Sequence, residues 1–183
     1  YEVLRSTSSG GPYELIGSAS DPTFTDPSVS EGMTYFYVVR AVDLSFNRSA
    51  SSPEMSATAS PRPVTVVFTA EVPATTDGTG RSVNIAGTLS RLEGGLPDWN
   101  PGAAHLTRLD ATHWRIQLTG LEGTQIEYKY VLDDGNSDWT YVEKDSGCGE
   151  IANRQLTLSY GTTGTQAVGD LVANWRKVPP CAD

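Results

Sequence analysis

Hydrophobic and polar residues alternate along most of this chain, in short runs broken by glycine, proline and aspartate. In Thr34–Asp43, Tyr35, Tyr37, Val39 and Ala41 share one face while Phe36, Val38, Arg40 and Val42 share the other, which is the period-2 pattern of a strand. Tyr1–Ser6, Tyr13–Ser18 and Met55–Ala59 complete a set of four predicted strands before residue 60, a small antiparallel sandwich pattern. Beyond it, Val64–Glu71, Arg81–Gly87, His105–Asp110, His113–Thr119, Ile126–Val131, Gln155–Tyr160 and a run near Gln166–Trp175 read as further strands, enough for a compact sandwich or open barrel. No helix longer than two turns is predicted. The break falls at Ser60-Pro61-Arg62-Pro63, where two prolines one residue apart favour extended backbone. The pattern therefore predicts an all-β protein of two antiparallel β-sandwich modules, residues 1–60 and 61–183.

Charge narrows the partners. The chain has 13 Lys and Arg against 22 Asp and Glu, a net charge of −9, and phosphate binding needs clustered cations, so nucleic acid is not expected. No apolar run is long enough to cross a membrane. The first residue is Tyr1 and no signal peptide is visible, so a processed or truncated product is expected. Two cysteines, Cys148 and Cys181, can pair if the protein works outside the cell. With His105 and His113 they lack zinc spacing, and Asp133, Asp134, Asn136 and Asp138 read as an acidic turn rather than a calcium loop. Neither a metal nor a cofactor is expected.

All four tryptophans, Trp99, Trp114, Trp139 and Trp175, lie after residue 60. The stretch Gln125–Leu158 concentrates ring and hydrogen-bonding side chains. Trp139 and Tyr141, two apart, would share a face if both lay on a strand, and Lys129 and Asn153 flank them in sequence. Trp99 sits in the loop Gly94-Gly95-Leu96-Pro97-Asp98-Trp99-Asn100-Pro101, where a large ring has little reason to be buried. Trp114 opens an alternating strand and Trp175 lies near the C-terminus; both read first as core. Indole rings cover the C–H face of a pyranose, while Lys and Asn meet its hydroxyls, so the combination predicts a sugar-binding surface. Glu122, Glu127, Glu143 and Glu150 are available carboxylates, but nothing in their spacing fixes a glycosidase pair, and no Ser-His-Asp order or nucleophile elbow is present.

Two resemblances sharpen this. YEVLRSTSSGGPYELIG, followed by TFTDPSVSEGMTYFYVVRAVDLSFNRSASSPEMSATA, resembles the second half of a fibronectin type III domain from a bacterial secreted enzyme. The family has two earlier strands and a buried Trp that are not seen here. The resemblance thus implies that the first sandwich is incomplete, the chain being a fragment or the missing strands coming from a strand-donating neighbour chain. Residues 64–175 are similar to the starch-binding domains of carbohydrate-binding module family 20. The family's G-x-W-x-P loop appears as Pro97-Asp98-Trp99-Asn100-Pro101, its W-x-V-x-L strand as Trp114-Arg115-Ile116-Gln117-Leu118, its EYKY strand as Glu127-Tyr128-Lys129-Tyr130, its later Trp as Trp139 and its NR pair as Asn153-Arg154.

This second resemblance implies one α-glucan site at Trp99, Trp139, Lys129 and Asn153, and offers Trp114 to a second site whose tyrosines have no clear counterparts. It departs from the family in the run between Trp139 and Asn153, which is longer and contains Cys148. The expectation is a non-catalytic α-glucan-binding module of a secreted, extracellular multidomain protein, a glycoside hydrolase by resemblance. The alternative is a structural subunit of an extracellular filament or adhesin built from β-sandwich domains.

Overall fold

The computed structural model describes residues 1–182 and divides into two compact units, Tyr1–Pro61 and Arg62–Asp183. The regular structure of both is strand, apart from two short 3-10 turns in the second.

In the first unit, β1 (Glu2–Ser6), β2 (Glu14–Ser18), β3 (Thr34–Arg40) and β4 (Met55–Thr58) form one antiparallel sheet in the order β2-β1-β3-β4. Val3 pairs with Val39 and Tyr35 with Ala57, so these side chains share a face. Instead of a second sheet, the loop carrying Phe24 and Val29 lies over this face, and a hollow of about 510 Å³ remains between them. Gly17 admits the loop, because a Cβ there would lie 2.7 Å from the Phe24 ring. Asp26 ties the loop down, accepting from Arg5 Nη1 at 2.8 Å and from the Tyr37 hydroxyl at 3.1 Å. The buried apolar set is small, Val3, Leu4, Tyr35 and Val38, while Leu15, Met33 and Met55 stay exposed. A single sheet with a thin core is the incomplete form of the sandwich.

The second unit is a sandwich of two sheets. Its strands are β5 (Pro63–Glu71), β6 (Ser82–Gly87), β7 (Thr107–Arg108), β8 (His113–Leu121), β9 (Gln125–Asp133), β10 (Tyr141–Lys144), β11 (Arg154–Thr157), β12 (Thr165–Leu171) and β13 (Asn174–Trp175). One sheet runs β12-β5-β8-β7; the other runs β11-β9-β10-β13, with β6 on the far edge of β9. All pairs are antiparallel except one: β12 lies parallel to β5, from Thr165 opposite Thr65 to Leu171 opposite Glu71. The architecture is the antiparallel all-β one expected, with this one parallel pair inside it. The chain reaches β12 by crossing from one sheet to the other rather than by a hairpin, and the turn that closes with Gly164 N–H on Tyr160 O then hands Gly164 O to Thr65 N–H, which sets the strand running with β5. The predicted strand His105–Asp110 shortens to Thr107–Arg108. Trp139 precedes β10 in a turn, so it does not share a strand face with Tyr141.

The alternation of β5 and β9 has a direct cause. Val64, Val66, Phe68 and Ala70 are fully buried, as are Ile126, Tyr128, Tyr130 and Leu132 to within 2 %, and Phe68 meets Tyr128 edge-on at 5.2 Å. Trp175 belongs to the same core, its indole N–H donating to Thr76 Oγ1 at 2.8 Å. A polar cluster joins the sheets at one side. Arg154 Nη2 donates to the fully buried Glu143 at 2.8 Å and its Nη1 to Asp170 on β12 at 3.0 Å. The hydroxyls of Tyr128 and Tyr130 donate to the other oxygen of Asp170 at 2.8 and 2.9 Å. Burial first, and then the nearby Asp170 charge, pushes both phenols far above the usual tyrosine range, so they remain donors.

Candidate functional site

Side chains from β9, β10 and the segments around them build a hollow of about 340 Å³ on the outer face of the second sheet. Trp99, Lys129, Val142, Trp139, Glu150, Asn153 and Arg176 line it. The Trp99 and Trp139 rings stand 6.2 Å apart between centroids, tilted by 46°.

The Trp99 loop is fixed at several points. Trp99 N–H donates to Gly87 O at 2.7 Å, Ser90 N–H to Asp98 Oδ1 at 2.8 Å, and Gly102 N–H to Asn100 Oδ1 at 2.9 Å. The Ser90 amide holds the Asp98 carboxyl below the usual carboxylate range. Trp99 has φ 51°, a left-handed conformation that a bulky residue adopts only when its surroundings hold it there. Gly87 lets the end of β6 lie this close to β9, because a Cβ at that position would fall 2.0 Å from Glu127 O.

The Trp139 loop is pinned to the first. Asn84, fully buried on β6, donates to Pro101 O at 2.7 Å and reaches Asp133 Oδ2 at 3.4 Å, so one amide spans the two loops. Gly102 packs so closely that a Cβ there would lie 1.9 Å from Ser137 Oγ and 2.7 Å from its Cβ. The acidic turn before Trp139 is satisfied internally: Asp133 accepts from Gly135 and Ser137 amides, Asp134 from Asn136 and Asp138 from Thr140.

Strand alternation supplies the floor. Tyr128 and Tyr130 face the core, which turns Glu127 and Lys129 outward. Lys129 Nζ donates to Ile151 O at 2.6 Å and keeps two N–H groups. Asn153 Nδ2 donates to Glu127 Oε2 at 3.0 Å and Gln155 Nε2 to Glu127 Oε1 at 3.3 Å, so Glu127 orients Asn153 while the Asn153 carbonyl oxygen stays open. Arg154, next in sequence, is the half-buried anchor that fixes where Asn153 emerges, through its bond to the buried Glu143.

Four of the five residues singled out as sugar contacts, Trp99, Lys129, Trp139 and Asn153, therefore meet in one hollow. Trp114 does not join them. It is 8 % exposed and packs in the sandwich core; the hollow on the outer face of its strand is lined by Thr107, Leu109, Arg115, Ile116 and Gln117, with no aromatic ring. Cys148 and Cys181 are bonded, with 5.4 Å between their Cα atoms. Asn84, Glu127, Glu150 and Arg176 also shape the site. Only Glu127 had a visible signal, its place two residues before Lys129 on an alternating strand.

No family model matches the chain. It is 39 % identical over 183 residues to an amylopullulanase of Thermoanaerobacter thermohydrosulfuricus, a match that covers 98 % of this chain and 12 % of that protein. It is 39 % identical over 184 residues to an amylopullulanase of Thermoanaerobacterium thermosulfurigenes, covering 98 % and 9 %. The chain thus spans about a tenth of the length of these curated relatives. Among solved structures, the glycoside hydrolase family 15 glucoamylase from Hypocrea jecorina matches over 63 % of this chain and 17 % of its own, with 21 % identity and a TM-score of 0.48. The gamma-CGTase from alkalophilic Bacillus clarkii matches over 78 % and 19 %, with 18 % identity and a TM-score of 0.43.

Proposed function

We propose that the second unit is a non-catalytic α-glucan-binding module of the starch-binding type, carried by a secreted, extracellular glycoside hydrolase. The two tilted indole rings closed on one side by Lys129 and Asn153 carry this reading. A 46° tilt matches successive glucosyl units on the curved path of an α-1,4-glucan, whereas the flat ribbon of a β-1,4-glucan asks for coplanar rings. The similarity to segments of two proteins named amylopullulanase supports the same substrate class. In this reading residues 1–60 are the partial fibronectin type III-like module and residues 61–183 the binding module.

The carboxylates at the site favour binding over hydrolysis. A glycosidase needs a general acid whose pKa is raised. Glu150 is held below the usual range, first by Lys144 and then by Arg176, and Glu127 is engaged by two side-chain amides.

The test is a titration with β-cyclodextrin or maltoheptaose followed by Trp fluorescence. Stacking covers about 70 Å² of each ring, which at about 25 cal/mol per Å² is worth about 2 kcal/mol. Trp99→Ala and Trp139→Ala should each weaken binding about tenfold to thirtyfold. No response from the wild-type chain at millimolar ligand would sink the reading.

Gly102→Ala gives an independent check. Its methyl group must displace Ser137 and so wedge the two tryptophan loops apart. Affinity should fall by about tenfold, a little over 1 kcal/mol, while both indoles remain in place. An affinity unchanged in this variant would mean that the spacing of the rings does not matter.

A further inference from the structure

The run between Trp139 and Asn153 adds a wall to the hollow. Asp145 Oδ1 accepts from the Gly147 and Gly149 amides at 2.8 and 2.7 Å, Asn174 Nδ2 donates to Asp145 O at 3.0 Å, and Cys148 is bonded to Cys181. This compact loop delivers Glu150 to the rim, opposite Arg176 from the segment after β13. Arg176 Nη2 donates to Glu150 Oε1 at 2.6 Å, its Nη1 reaches Trp139 O at 3.4 Å, and Lys144 Nζ also binds Glu150 Oε1. Both residues line the same hollow as the tryptophans, and their side chains are 60 % and 34 % exposed.

We propose that Glu150 and Arg176 are further ligand-binding residues that together hold the O2/O3 diol of a second glucosyl unit, next to the unit served by Lys129 and Asn153. The proposal rests on the glucan reading and adds to it a second polar contact point. Neighbouring hydroxyls on a pyranose offer one donor and one acceptor side by side. The two cations share Glu150 Oε1, and Oε2 has no protein partner among the described residues, so it accepts from one hydroxyl. Arg176 keeps its Nε–H and one N–H on each terminal nitrogen after its protein contacts, so it donates to the other. An exposed ion pair contributes little to folding.

The experiment titrates the whole chain and its variants calorimetrically with β-cyclodextrin and with β-cyclodextrin methylated at O2. Glu150→Ala and Arg176→Lys should each bind β-cyclodextrin about tenfold more weakly, the scale of one hydrogen bond to a charged group. Arg176→Lys keeps the charge but loses the fork. Arg176→Lys should melt within about 2 °C of wild type, since it keeps its charge at the rim, whereas Glu150→Ala also leaves the buried Lys144 without its carboxylate and should melt lower, so its affinity is read at a temperature where the variant is folded. The affinity lost on methylating O2 should be smaller in Glu150→Ala than in wild type, which a purely structural role would not produce. If wild type binds and Trp139→Ala binds about tenfold more weakly or worse, yet both rim variants bind within about twofold of wild type, the rim contact is overturned and the glucan reading stands. If wild type fails to bind, or Trp139→Ala binds as wild type does, the glucan reading falls and takes this proposal with it.

Discussion

Replacing Arg154 with Met lowers the stability of the second unit by about 3–5 kcal/mol, the cost of leaving a buried charge without its partner. Glu143 is fully buried, and among the described residues its carboxylate accepts, apart from Arg154, only the Tyr130 N–H, at 2.9 Å. Asp170 loses its cation in the same step and keeps two phenol donors. Met fills similar volume, so the loss is electrostatic rather than a cavity. A second substitution, Glu143→Gln in the Arg154→Met background, removes the stranded charge and should recover part of the loss, a coupling that distant sites would not show. Urea unfolding followed by Trp fluorescence reports this unit alone, because all four tryptophans lie within it. The midpoint should shift with the slope unchanged. A loss under about 1 kcal/mol would show that the Arg154 cluster does not hold the sheets together.

This cluster also shows why some elements were legible in the sequence and others were not. β5, β8 and β9 alternate because one face of each packs into the core, and period-2 reading finds them. β10 does not alternate: Val142, Glu143 and Lys144 are all buried, two of them charged residues whose burial is made possible by Arg154 and Glu150. A charged pair in sequence reads as surface, so the alternating pattern predicts no strand over β10. The parallel pairing of β12 on β5 joins segments about a hundred residues apart, and no local signal encodes it.

The site divides along the same line. Trp99 stood out because a Gly- and Pro-rich loop gives a large ring no core to enter, and Trp114 read as core because it opens an alternating strand. Asn84, Glu150 and Arg176 reach the site only through tertiary folding. Gly102 matters through a single close approach to Ser137, a distance that no composition predicts.

Removing the Cys148–Cys181 bond should be the other large perturbation. The bond closes a loop of sequence separation 33, and the chain-entropy estimate for such a loop is about 3–4 kcal/mol. For a unit of this size that corresponds to a melting temperature lower by roughly 10–15 °C. The double variant Cys148→Ser/Cys181→Ser, or the wild-type chain in reductant, should show it by calorimetry. The loss should fall unevenly over the molecule. β13 and its buried Trp175 are held by the core independently of the bond, and so is the Trp99 loop, through Gly87 and Asn84. The loop at Asp145–Glu150 has its own amide bonds to Asp145 but, among the described residues, only one side-chain bond to the C-terminal segment besides the Glu150–Arg176 pair, that from Asn174. Hydrogen exchange should therefore rise first at Gly147, Cys148 and Gly149, and glucan affinity should fall by less than in Trp139→Ala, because the indoles stay where they are. A melting temperature that moved by less than about 3 °C would mean that the backbone contacts alone fix the C-terminal segment, and the staple would then matter for the rim rather than for the fold.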